Sequence, residues 1–218
     1  MYQVDFVIEG MAPYSQSRMH QLPQLEKESA ADYDVRTWLD KATFVDGQMH
    51  IPHMAVKQAL DAVARYLSEK IKGKGNATYS KHFRSGVLLF DPLPLTSGGL
   101  PILRDGTPLV AKDGSPVMDD EGQPALVHFI QPCVINANAD GVRGSGKRVM
   151  RRFPQIYPPW EAVGSLHVAD YVITPELLAR YLEAAGQFIG LGRFRPENGG
   201  SNGRFKVTRF DCKEEVAA

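Results

Sequence analysis

Three features of the chain predict an α+β fold: an alternating strand at its start, two amphipathic helical stripes, and apolar strand-like runs after each of them. At 218 residues there is room for one domain with large insertions, or for two small ones. Hydrophobic residues make up 43% and charged residues 23%, an ordinary globular balance that excludes a disordered chain.

Residues 2–9 alternate, placing Val4, Phe6 and Ile8 on one face, and Gly10 ends this first strand. Residues 11–40 read as a long polar excursion broken by Pro13 and Pro23, with a short helix expected within 32–41. Pro52 suits the first turn of a helix. Val56, Leu60, Val63, Leu67 and Ile71 then recur at helical spacing as one buried stripe. Lys57, Asp61, Arg65 and Lys72 lie off that stripe and are expected to stay wet, and Gly73 and Gly75 to end the helix. The continuous apolar run 86–90 suits a buried strand.

Residues 104–127 contain a repeat of period eight: RDGTPLVA, KDGSPVMD, DEGQPALV. Each copy has an acid, a glycine (Gly106, Gly114, Gly122) and a proline two residues later. Such glycines supply the positive φ of tight turns, so the segment reads as a hairpin-like arm too small to own a core. Strand character returns over 125–137, followed by a glycine-containing basic stretch over 141–152 and another strand over 162–173. Thr174 is a good N-cap and Pro175 a good first helical residue, opening a helix that buries Leu178, Tyr181, Leu182, Ala185 and Ile189. A strand over 204–210 closes the order.

With the insertions removed the order is β-α-β-β-α-β, a ferredoxin-like (RRM-like) core. The chain is accordingly expected to be a single domain over 1–218. Its insertions fall at 11–50 after strand one, at 94–124 as the octad-repeat arm, and at 138–160 as a basic loop.

Lysine plus arginine and aspartate plus glutamate both number 25, but the charges are segregated. Residues 26–46 carry six acids against three bases, and residues 105–121 five acids against Lys112 alone. Arg143, Lys147, Arg148, Arg151 and Arg152 form a run without an acid. Arg193, Arg195, Arg204, Lys206 and Arg209 face only Glu197. Two basic runs mixed with glycine and aromatics point to an anion-binding surface. No apolar run is long enough to span a bilayer, no cationic-then-apolar leader opens the chain, and Cys133 and Cys212 make no disulfide framework. A cytoplasmic protein with no membrane partner is expected.

The most informative passage runs from Gly190 to Phe205, GLGRFRPENGGSNGRF. Its five glycines leave backbone amides to offer, and its arginines interleave with phenylalanines, a mixture suited to phosphates and base faces. The glycines follow a helix instead of opening one, so neither the phosphate-binding loop nor the dinucleotide fingerprint fits.

A glycine-rich, arginine-containing loop between the second helix and last strand of a ferredoxin-like domain resembles the hallmark of the RAMP superfamily, the CRISPR-associated RNA-binding proteins. The stretch IPHMAVKQAL from Ile51 to Leu60 is similar to the first-helix signature of that family. His53 and Gln58 stand where the family often has glycine, which marks a divergent member. The insertion after strand one and the mid-domain arm are most similar to the backbone subunit of multi-subunit effectors, which coats a guide RNA. The resemblance implies RNA contacts by Lys57, matching the signature lysine, by the loop arginines Arg193, Arg195 and Arg204, and by Arg18 after strand one. Arg65, on the wet side of the first helix, is a further candidate, and the run Arg143, Lys147, Arg148, Arg151 and Arg152 is assigned to RNA from charge alone. Single-stranded guide RNA, further copies head to tail and other effector subunits are the implied partners.

His50 and His53 have a ligand-like spacing, but without a second close pair no metal or cofactor is expected. Some RAMP backbone subunits cleave target RNA with an aspartate after strand one, where Asp32, Asp34 and Asp40 stand here; these read as surface acids or helix caps. The favoured reading is a non-catalytic RNA-binding subunit. An RNA-cleaving enzyme with an acid in 28–40, and a phage structural or interaction protein, are the competing ones.

Overall fold

The computed structural model describes residues 1–138 and 148–214. β1 (Tyr2–Gly10) leads into the two-residue β2 (Tyr14–Ser15), α1 (Ala30–Thr37) with a 3-10 turn at Trp38–Lys41, and the pair β3 (Phe44–Val45) and β4 (Gln48–Ile51). α2 (His53–Leu67) and α3 (Ser80–Gly86) precede β5 (Val87–Leu88), β6 (Leu93–Ser97) and β7 (Leu100–Pro101). The arm lies between β8 (Thr107–Pro108) and β9 (Leu126–Val127). β10 (Gln131–Asn138), β11 (Arg148–Ile156) and β12 (Glu161–Val168) follow, then α4 (Pro175–Ala184), a π turn at Ala185–Ile189, and β13 (Phe205–Glu214).

The predicted α+β class holds. The main sheet is antiparallel in the order β13-β1-β12-β6-β4-β3, with β1 between β12 and β13. Phe6 faces Gly164 on one side and Phe210 on the other. The alternation read in residues 2–9 is realised: Val4, Phe6 and Ile8 are fully buried. They share one core with Val56, Leu60 and Val63 of α2 and Leu178, Tyr181 and Leu182 of α4. Each such side chain contributes about 1.5–3 kcal/mol through burial. Thr174 caps α4 by accepting from the Leu177 amide, and Pro175 occupies the first turn.

Several boundaries differ from the sequence expectation. α2 stops at Leu67, where Ser68 takes a left-handed conformation and donates to the Ala64 carbonyl, so Gly73 and Gly75 end nothing. Leu67 is half-buried, and Ile71 remains buried from outside the helix. The run 86–90 is strand only at Val87–Leu88; Gly86 closes α3, and Phe90 is exposed. β12 ends at Val168, after which Asp170 ties a turn by accepting from the Val172 amide at 2.9 Å.

Within the excursion 11–50, β4 and β3 extend the main sheet beyond β6. Within the stretch 138–160 expected to be a basic loop, Arg148–Ile156 is strand: β11 pairs with β10 and with β2 in a second, three-stranded sheet, and residues 139–147 lie outside the described residues. The arm follows its repeat, with Gly106, Gly114 and Gly122 all at positive φ and isolated bridges joining Val110 to Pro116 and Met118 to Pro124.

Candidate nucleic-acid interface

Three segments far apart in sequence meet at one cleft of about 840 Å³: residues 14–18 after β1, the start of α2 (Pro52, Ala55, Gln58, Ala59), and the glycine-rich loop after the π turn. Gln16 fixes the first segment. Its side-chain amide donates to the His50 carbonyl at 2.7 Å and accepts from the Thr43 amide at 2.7 Å. The loop is then stitched to that segment, with the Arg193 amide donating to Ser15 O at 2.8 Å and the Gly203 amide to Pro13 O at 2.7 Å.

Here the expectation of uncovered loop amides fails at Gly190, Gly199, Gly200 and Gly203. Gly190, Leu191, Arg193, Asn198, Gly199, Gly200, Asn202 and Gly203 all donate to backbone carbonyls. The glycines allow close approach of chain to chain: a Cβ on Gly192 would lie 2.3 Å from Ser15 O, and Gly192 has φ +72°. The loop is a packed structure in which most glycine amides are engaged by backbone carbonyls.

Arg193 is the best placed of these side chains. Its guanidinium lies 3.8 Å from the centroid of Phe153 and 4.7 Å from that of Phe194, and donates to Ser17 Oγ at 3.2 Å. Its Nε is buried and has no partner among the described residues. Burial pushes its pKa below the ordinary value, yet arginine stays charged at physiological pH. Arg195 also lines the cleft, but Glu197 binds its Nε and Nη2 at 2.9 and 2.7 Å and offsets its charge. Arg18 lines the cleft too, exposed and without an ion pair among the described residues, its amide donating to Lys41 O at 2.8 Å.

The other sequence-predicted residues lie elsewhere. Lys57 is not wet: it is 8% exposed, and its ammonium bonds the Asp61 carboxylate and the Phe83 carbonyl. That pairing couples α2 to α3 and engages the Lys57 ammonium within the fold. Arg65 is exposed six residues beyond Ala59, about 9 Å further along the helix axis. Arg204 is exposed but outside the cleft lining. Arg148 is exposed on β11, whereas Arg151 and Arg152 are half-buried and each 3.9 Å from Asp34. Arg143 and Lys147 lie outside the described residues.

Asp32, Asp34 and Asp40 each have structural partners. Asp32 exchanges hydrogen bonds with Ser29 at the α1 N-cap. Asp34 is 1% exposed and accepts from Lys41 Nζ at 2.5 Å and the Arg152 amide at 2.7 Å. Asp40 accepts from Arg104 at 2.6 Å. No group of three or more His, Cys, Asp or Glu side chains among the described residues is placed to hold a metal ion.

Sequence reasoning missed Gln16, Phe153 and Lys41. Phe153 lies between the Lys41 ammonium, 4.8 Å from its centroid, and Arg193, so it links the α1 region to the loop. Its position next to Arg151 and Arg152 was the available signal.

At the level of fold the chain is similar to structures of RAMP-type CRISPR proteins, as the resemblance implied. The particular likeness is to a chain in the cryo-EM structure of the Type III-B Cmr-beta bound to cognate target RNA, at TM-score 0.50 and 11% identity, covering 98% of this chain and 61% of that one. This chain therefore spans less than two thirds of that relative's length. Cmr6 from Pyrococcus furiosus is also similar, at TM-score 0.45 and 11% identity over 95% of this chain and 98% of that one. No family model matches the chain, and no curated protein matches it in sequence. No helix among the described residues is long and apolar enough to cross a membrane.

Proposed function

We propose that this chain is a non-catalytic subunit of a CRISPR-type antiviral ribonucleoprotein, built on a ferredoxin-like core, that binds single-stranded guide RNA and assembles head to tail along it. The strand order and antiparallel pairing of β13, β1, β12 and β6 support that core. The observation that carries the function is the convergence of residues 14–18, the start of α2 and the glycine-rich loop on one cleft with Arg18 and Arg193 at its wall. Guanidinium forks beside aromatic rings address phosphates and base faces without reading base edges, so binding is largely independent of sequence. The structural engagement of Asp32, Asp34 and Asp40 supports the non-catalytic reading.

The test is a salt titration of single-stranded RNA binding with the parent and with Arg18→Ala/Arg193→Ala. Affinity is expected to fall with salt by about 0.7 log unit per neutralised phosphate for each log unit of salt, with a shallower slope in the variant. A flat response in the parent overturns the reading.

A further inference from the structure

A second cleft, of about 550 Å³, shares Arg18 with the first and is also lined by His20, Asp40, Phe44 and Arg104. Arg104 opens the octad repeat, outside every motif that pointed to RNA. Its backbone is fixed, because its amide donates to the Gly47 carbonyl at 2.9 Å. Its guanidinium lies 5.3 Å from the Phe44 centroid and donates to Asp40 Oδ1 at 2.6 Å. Among the described residues that guanidinium makes no other hydrogen bond, although it carries five N–H donors in a planar fork. Its side chain is 39% exposed. His20 also lines this cleft, and its buried Nδ1 has no hydrogen-bond partner among the described residues. The cleft thus holds two guanidinium groups against one carboxylate, and one of the two is common to both clefts.

We propose that the second cleft binds a phosphodiester of the same RNA strand, which passes from the first cleft across Arg18 to Arg104. Asp40 acts as a positioning residue: it orients the guanidinium over Phe44 and partly offsets its charge. A guanidinium with N–H groups to spare forms charge-assisted, bidentate bonds to phosphate oxygens. The inference rests on the RNA-binding reading above, and the experiment separates the two.

Binding of a long oligouridylate is measured across a salt series for Arg104→Ala, Arg104→Lys, Asp40→Asn and Arg193→Ala, with thermal melting of each variant alongside. Arg104→Ala is expected to weaken binding about tenfold and to reduce the salt slope by about 0.7, one phosphate. Arg104→Lys keeps the charge without the fork and falls between parent and alanine variant. Asp40→Asn removes the offsetting charge and tightens binding. A pair that served the fold alone would move both partners the same way, lowering both melting temperatures with no opposite effect on RNA. Parent-like affinity and slope in Arg104→Ala overturns the second site, as does Asp40→Asn weakening RNA binding as much as Arg104→Ala. If Arg193→Ala weakens binding while Arg104→Ala does not, only this inference fails. If the parent shows no salt-dependent binding, the RNA reading itself fails.

Discussion

Arg193 and Arg195 occupy the same loop two residues apart, yet their surroundings give them different work. Arg193 stacks on Phe153 and Phe194, its Nε without a partner among the described residues, whereas Arg195 is held by Glu197. Arg193→Ala should therefore weaken RNA binding more than Arg195→Ala. It should also lower stability by about 1 kcal/mol through the lost cation–π contact, read by urea denaturation. Glu197→Gln should release Arg195 and tighten RNA binding at low salt, the opposite sign from Arg195→Ala. A second residue-scale expectation concerns pH. Bonding to Lys213 Nζ at 2.5 Å, helped by Ser165 and Gln3, lowers the Asp5 carboxyl from 3.8 to about 2. A depressed folded value contributes stability that is present above the unfolded value and lost as pH falls through the folded one. The β1–β13 pairing should thus lose this contribution between about pH 4 and pH 2. In Lys213→Gln, melting curves over that window should be flatter than the parent's.

At the scale of elements, the acid after strand one decides how the second sheet is attached. Asp34 of α1 receives Lys41 and the backbone of Arg152, so α1, the 3-10 turn and β11 are joined through one buried carboxylate. Asp34→Ala leaves the Lys41 ammonium without its carboxylate and should cost about 3–5 kcal/mol, measured by urea denaturation. A surface acid would cost within about 0.5 kcal/mol, and that result would remove Asp34 from this structural role. In the core, Phe6→Ala removes a fully buried ring from the main hydrophobic cluster and should cost about 3–5 kcal/mol. The glycine loop obeys a different constraint. Gly192→Ala places a Cβ against the Ser15 carbonyl at positive φ, so it should pull the loop from residues 14–18 and weaken RNA binding without touching a charged group.

For the whole molecule, the segregated charge and the acidic arm suit heterologous, head-to-tail contact between copies. Deleting residues 109–125 and closing the gap with a short glycine linker keeps Thr107, which is buried and bonded to the Pro101 carbonyl, and keeps Arg104. The product should fold, bind one RNA, and lose cooperative assembly. Light scattering on RNAs of increasing length should show the parent adding copies with length, and the deletion variant adding fewer. A parent complex that stays at one copy per RNA at every length would leave a solitary binding module.

What the sequence by itself determined was set by local rules. Periods of 2 and 3.6 residues placed Val4, Phe6 and Ile8 and the stripe from Val56 to Val63 in the core, and Thr174-Pro175 opened α4, because these depend only on neighbours along the chain. Two of the three cleft segments were legible as motifs for the same reason, and Arg18 was picked out beside them. Tertiary structure alone decided which charges remain available. Lys57 has the position of a wet helix residue, but the Phe83 carbonyl that captures it comes from α3. Asp34 has the composition of a surface acid, but β11 closes over it. Of the loop glycines, readable as exposed amides, Gly192 and Gly203 serve close backbone packing against residues 13–15. An ion pair or a backbone contact between distant segments has no period in sequence, so it appears only once the sheet brings its partners together.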